Sequence, residues 1–164
     1  MRAGEPLTLQ TRLSDDGVPE PFDPAKRTKR FLDRGAAEGR EGIDAEIENF
    51  EALRTAVLNL PPSGSTVRKN NGLFLSWNVY RAPETMTKVQ EKVHFTPDQV
   101  KPWEDTRTSA NSPWGWFWVP PELPEDGVVD ATVTFDEPGT YLLWGRADDG
   151  GLYSDLYVTV NVSP

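Results

Sequence analysis

The final stretch of the chain, residues 127–164, constrains the fold more than any other part: GVVDATVTFDEPGTYLLWGRADDGGLYSDLYVTVNVSP. Val129, Ala131, Val133 and Phe135 alternate with Asp130, Thr132 and Thr134. A period of two in β-branched residues belongs to a strand with one face on a core and the other in water. Asp136-Glu137-Pro138-Gly139 stops that strand, because proline lacks a ladder N–H and glycine accepts positive φ. Tyr141, Leu143, Gly145 and Ala147 then share one face of a second strand, with Leu142, Trp144 and Arg146 on the other. Asp148-Asp149-Gly150-Gly151 forms a second turn. Leu156, Val158, Val160 and Val162 alternate with Tyr157, Thr159 and Asn161 in a third strand.

The same alternation recurs upstream. Leu7, Leu9, Thr11 and Leu13 alternate with Thr8, Gln10 and Arg12, and Asp15-Asp16-Gly17 closes that strand. After the turn residues Asn70-Asn71-Gly72, Leu73, Leu75, Trp77 and Val79 alternate with Phe74, Ser76, Asn78 and Tyr80. Residues 88–95, KVQEKVHF, alternate weakly, and their charges suit an edge strand, where unpaired backbone invites unwanted pairing.

Residues 18–72 break the pattern. Pro19, Pro21 and Pro24 exclude a continuing strand, and Lys26, Arg27, Lys29, Arg30, Arg34 and Arg40 make the next segment basic. That segment reads as a solvated helix or loop face, with docking of an acidic partner as the alternative. Ile43, Ile47, Phe50, Leu53, Val57 and Leu60 recur at spacings of three and four, the stripe of an amphipathic helix, and Pro61-Pro62 ends it.

A tyrosine two residues after a glycine, just past a corner between strands, occupies the position of the tyrosine corner of immunoglobulin-like sandwiches. FDEPGTYLL…ADDGGLYSDLYVTVNV resembles the closing strands of bacterial immunoglobulin-like domains of the PKD and cadherin-like kind. The resemblance implies a mainly β fold: one antiparallel immunoglobulin-like sandwich over residues 1–164, with residues 18–72 as a helical insertion between strands B and C. It makes Trp77 the core tryptophan of strand C. It also implies an accessory, spacer or adhesion role in an extracellular, periplasmic or cell-surface setting. MRAGEPLTL has no apolar signal-peptide core, so a secreted form is expected to be mature or trimmed.

Composition removes several alternatives. The net charge of −9 argues against nucleic acid, whose phosphates need a basic surface. There is no cysteine, hence no disulfide, no zinc–thiolate site and no thiol nucleophile. No run approaches the roughly 20 apolar residues that span a bilayer, so membrane insertion is not expected. The single histidine, His94, leaves no local partner set for a catalytic triad, and the chain reads as a non-enzyme.

Three features could carry binding. The segment 101–126 holds Trp103, Trp114, Trp116 and Trp118, rings able to stack on sugars or to plug the end of a sandwich. If extended, the segment would turn Trp114, Trp116 and Trp118 to one side. Asp15, Asp16, Asp148 and Asp149 would meet at one end of the sandwich, and calcium is the cation such turns would suit, although Asp-Gly pairs also simply make good turns. Phe74, Tyr80, Leu142 and Trp144 form an apolar patch on the outward sheet face, which the 43–60 helix would cover or a protein partner would meet. The expected function is a non-catalytic binding or assembly module contacting another protein or itself, without a cofactor. A glycan-binding module and a calcium-stabilised spacer are the alternatives.

Overall fold

The structure, a computed structural model, describes residues 1–37, 51–53, 55, 69–107 and 109–164. In chain order the elements are β1 (Leu7–Arg12), α1 (Pro24–Ala37), β2 (Phe74–Arg81), β3 (Val93–Thr96), β4 (Val128–Phe135), β5 (Gly139–Asp148) and β6 (Tyr153–Val162). They form two three-stranded antiparallel sheets, ordered β1-β4-β3 and β2-β5-β6. The six strands expected from alternation are present, but the third is shorter than the expected 88–95: Lys88 takes a left-handed conformation, Val89–Glu91 form a 3-10 turn, and only Val93–Thr96 pair with β4. The last begins three residues earlier than Leu156, because Tyr153 already pairs with Asp148.

The sheets share one apolar core in a sandwich-like arrangement. Leu9, Val93, Ala131, Val133 and Phe135 come from the first sheet, and Leu75, Trp77, Tyr141, Leu143, Val160 and Val162 from the second. Each fully buried side chain of this size contributes about 1.5–3 kcal/mol. The rings of Phe135 and Tyr141 meet across the sheets at 4.5 Å. The Tyr141 hydroxyl donates to the Glu137 carbonyl at 2.8 Å, four residues upstream, and ties the β4–β5 corner to the core. Trp77 lies flat against Gly145, where a Cβ would stand 3.0 Å from the indole ring. Glycine at that position is therefore a packing requirement.

Helix α1 starts where Asp23 Oδ1 accepts the amides of Ala25 and Lys26, with Pro24 in the first turn, where its missing N–H costs nothing. It is not the wholly solvated face its composition suggests. Phe31 and Leu32 pack with Leu53, Phe117 and Trp116 in a second, smaller core. Of the expected 43–60 stripe only Leu53 lies within the described residues, and it is buried there. The remainder of that stripe, and Arg40, lie outside them. No described helix is long and apolar enough to cross a membrane.

Candidate binding site

Phe74, Leu75, Ser76 and Trp77 are all buried, although successive residues of a strand point to opposite faces. Something must therefore cover the outer face of β2, and it is the segment 97–118. The Val100 carbonyl accepts the Ser76 hydroxyl, and Gln99 Oε1 accepts the Trp77 amide at 2.9 Å. Trp118 stands edge-on to Phe74 with ring centroids 5.5 Å apart. Phe74 is thus fully buried and offers no exposed partner contact, while the 43–60 stripe expected to cover it lies, apart from Leu53, outside the described residues. Phe74 is closed over by a tryptophan of the long loop.

That loop is held by hydrogen bonds of its own rather than extended. The Gly115 amide donates to Ser112 O at 2.7 Å, and the Trp118 amide to Gly115 O at 3.0 Å. A Cβ at Gly115 would stand 2.7 Å from the Ala110 carbonyl oxygen. Buried Asn70 anchors the loop from outside: Nδ2 donates to Trp118 O at 2.8 Å, and the Asn70 amide donates to Pro113 O at 2.8 Å. Arg27 joins the same network from α1, donating to Trp116 O at 2.7 Å and to Asn70 Oδ1 at 3.0 Å. Burial lowers the Arg27 pKa, with repulsion from Arg30 adding to the effect.

The turns scatter the four tryptophans instead of aligning them. Trp118 is only 5% exposed and unable to stack on a ligand. Trp116 stacks on Phe117 at 5.4 Å, and Trp114 is half-buried with the Lys69 ammonium 5.1 Å from its ring centroid. Trp103 alone among the four is open to solvent, at 50% exposure. An extended platform of Trp114, Trp116 and Trp118 is therefore overturned by turn geometry.

The acidic turns come near one another, since a Cβ on Gly151 would stand 3.0 Å from the Pro19 ring. Their carboxylates are nevertheless aimed apart. Lys69 Nζ lies 2.6 and 2.7 Å from the two Asp148 oxygens. Asp149 Oδ1 accepts the amides of Gly151 and Leu152 at 2.6 and 2.7 Å. Burial pushes the Asp149 carboxyl upward, but those amides outweigh it and hold its pKa below the usual range. Asp16 accepts the Val18 amide at 3.0 Å, and Asp15 is exposed. Among the described residues no three acidic, histidine or cysteine groups gather as metal ligands. Asp16 and Asp149 use their carboxylates on amides of their own turns, and Asp148 is taken by Lys69 and the Gly150 amide, so these three and Asp15 do not form a ligand cluster.

What remains open is the far half of β2. The Gln99 cover stops at Trp77, so the backbone of Val79, which points the same way two residues on, has no ladder partner on that side among the described residues. A register shift between Val79 and Arg81 swings Tyr80 outward to 58% exposure, as bulges do. Tyr80 meets Tyr157 edge-to-face at 5.4 Å. Beside it, Leu142 and Trp144 are half-buried, and the Arg146 guanidinium lies 4.7 Å from the Trp144 ring and 4.0 Å from that of Tyr153.

Of these groups, Tyr80 and Trp144 line a groove of about 780 Å³, with Asn78, Arg81, Gln99 and Trp103 also on its walls. Trp77 reaches the groove, and its indole N–H has no acceptor among the described residues. His94 also borders it and lies 3.2 Å from Asp136. The alternation identified Tyr80 and Trp144 as outward residues, and Trp103 stood out as an aromatic. Asn78, Arg81 and Gln99 carried no sequence signal, since only the fold brings 78–81 beside 99–103.

Compared with protein-family models, with curated proteins and with solved structures, the chain finds no match in any of the three.

Proposed function

We propose that this protein is a non-catalytic immunoglobulin-like module that binds another protein through the groove beside β2, in an extracellular, periplasmic or cell-surface setting. The immunoglobulin-like reading rests on strand order. The orders β1-β4-β3 and β2-β5-β6 match B-E-D and C-F-G of that fold, with Tyr141 at the tyrosine corner. Residues 18–72 then fall between strands B and C as an insertion.

The binding reading rests on one observation. A strand segment at Val79, paired with β5 on one side and without a partner on the other among the described residues, adjoins exposed aromatic rings, Tyr80 and Trp103, inside one groove. An extended peptide can add to such an edge through main-chain hydrogen bonds while neighbouring pockets select its side chains. A tyrosine and a tryptophan, each with an apolar body and a polar tip, are the ring types enriched in such contacts. A flat sugar platform needs several aligned rings, and a single exposed tryptophan supports it less well.

The test is selection of a displayed random-peptide library on the wild-type protein and on a Tyr80→Ala/Trp103→Ala variant. Peptides enriched on the wild type and lost on the variant are the expected result. Enrichment indifferent to the variant, or none, would refute the reading. Glycan-array binding lost with Trp103→Ala would assign the groove to sugars instead.

A further inference from the structure

The outer edge of β6 is a long stretch of open backbone among the described residues. Residues 1–3 touch only its final part: the Met1 ammonium donates to Asn161 O, and Arg2 and Ser163 form a short parallel bridge, in which the Ala3 amide donates to Ser163 O and the Ser163 amide to Met1 O. The Asn161 and Ser163 backbones therefore face outward, and by the period of two so do those of Tyr153, Asp155, Tyr157 and Thr159. None of these four has a backbone partner on that side among the described residues.

The usual protections of an edge strand are short length, bulges, proline and charge. β6 runs ten residues in unbroken register with β5 and contains no proline. Its one charged side chain, Asp155, is bound by Arg146 at 2.7 and 2.9 Å, and that contact holds its pKa below the usual carboxylate range. In a chain of net charge −9 this edge is locally neutral. It is also apolar, with Leu152, Tyr153 and Tyr157 at 76%, 64% and 53% exposure.

We infer that β6 pairs with β6 of a second copy, antiparallel about a two-fold axis beside Leu156, joining two three-stranded sheets into one of six strands. This register uses the open residues and no others. Tyr153 lies opposite Thr159 of the second copy, and Asp155 lies opposite Tyr157, so each outward N–H and C=O finds a mate. Two half-buried Leu156 side chains meet on the inner face, extending the core past its present rim. The second copy is the occupant because the edge complements itself. Its one charge, Asp155, is paired with Arg146 and so does little to repel its own image, and its apolar residues fall on matching faces. The β6 edge is a different strand edge from the β2 groove, meeting it only where Tyr157 touches Tyr80, and the inference does not depend on the reading given for that groove.

The register makes a charge-specific test. Tyr157→Asp would set two aspartates opposite each other twice per interface, and Tyr157→Lys would set lysine opposite Asp155. Light scattering with size exclusion, run as a concentration series near physiological ionic strength of about 0.15 M, reads the monomer–dimer balance. The expected result is a wild-type dimer, kept in Tyr157→Lys and weakened at least tenfold in Tyr157→Asp, with thermal melts verifying that both fold. A wild-type protein monomeric at every concentration overturns the inference, and so does equal dimerisation of the two variants.

Discussion

Replacing Tyr141 by phenylalanine isolates the hydroxyl that closes the β4–β5 corner. The ring is fully buried and rests on Phe135, and phenylalanine keeps that packing. What is lost is the 2.8 Å hydrogen bond to Glu137 O and a long 3.9 Å contact to Met86 Sδ. A neutral hydrogen bond contributes about 1 kcal/mol net, and leaving its acceptor dry costs about 1–3 kcal/mol. Glu137 is half-exposed, so water can reach part of the vacated carbonyl. The expected loss is therefore about 1–2 kcal/mol, which lowers the melting temperature by about 2–8 °C for a domain of this size. Removing the ring as well, in Tyr141→Ala, should cost about 3–5 kcal/mol. Urea unfolding followed by tryptophan fluorescence measures both variants, and the reasoning requires an unchanged m-value for the phenylalanine variant. A Tyr141→Phe protein within about 0.5 kcal/mol of wild type would refute the corner's role. Equal losses from Phe and Ala would place the ring outside the core.

Other perturbations follow from the same contacts. Gly145→Ala drives a methyl to within 3.0 Å of the Trp77 ring and should cost about 1–3 kcal/mol, with a changed near-ultraviolet circular dichroism spectrum. Lys69→Ala leaves the Asp148 carboxylate, 6% exposed, without its cation. A loss of about 1–3 kcal/mol is expected in thermal melts, because an acceptor is stripped of a charged donor. Asp155 has its folded pKa depressed, first by the Arg146 hydrogen bond. Its contribution is therefore complete above the unfolded value of about 3.9 and is lost as pH falls through the lower folded value. Asp155→Asn should accordingly remove part of the acid destabilisation while lowering stability at neutral pH, measured as melting temperature against pH.

The strands were legible because each of β4, β5 and β6 has one side on the core and the other largely open, so alternation records burial directly. β2 shows the limit of that signal. Phe74 and Ser76 alternate outward as Tyr80 does, yet Trp118 and Val100 cover the first two and leave Tyr80 exposed. No local pattern separates an outward residue in water from one beneath a distant loop. The loop was misread for a related reason: period-two spacing of tryptophans implies one face only in an extended chain, and Gly115 and Ser112 instead coil it into tight turns. The 148–151 connection was placed correctly as the turn between β5 and β6, but whether a carboxylate serves a cation or its own amides depends on rotamers that sequence does not encode. The groove combined both kinds of information. Tyr80, Trp103 and Trp144 stood out as aromatics, whereas Asn78 and Gln99 join them only through tertiary contact.

Both proposed surfaces depend on β5 being the central strand of its sheet, with β2 partly free on one side and β6, short of its end at residues 161–163, free on the other among the described residues. Residue-resolved amide hydrogen exchange on dilute protein tests this most directly. Protection should be continuous over Leu142–Ala147, which pair on both sides, whereas in β6 it should alternate: slow at Ser154, Leu156 and Val158, fast at Asp155, Tyr157 and Thr159. Uniform protection along β6 in the monomer, or β5 amides exchanging as fast as those of Tyr157, would contradict the strand order and both surfaces drawn from it.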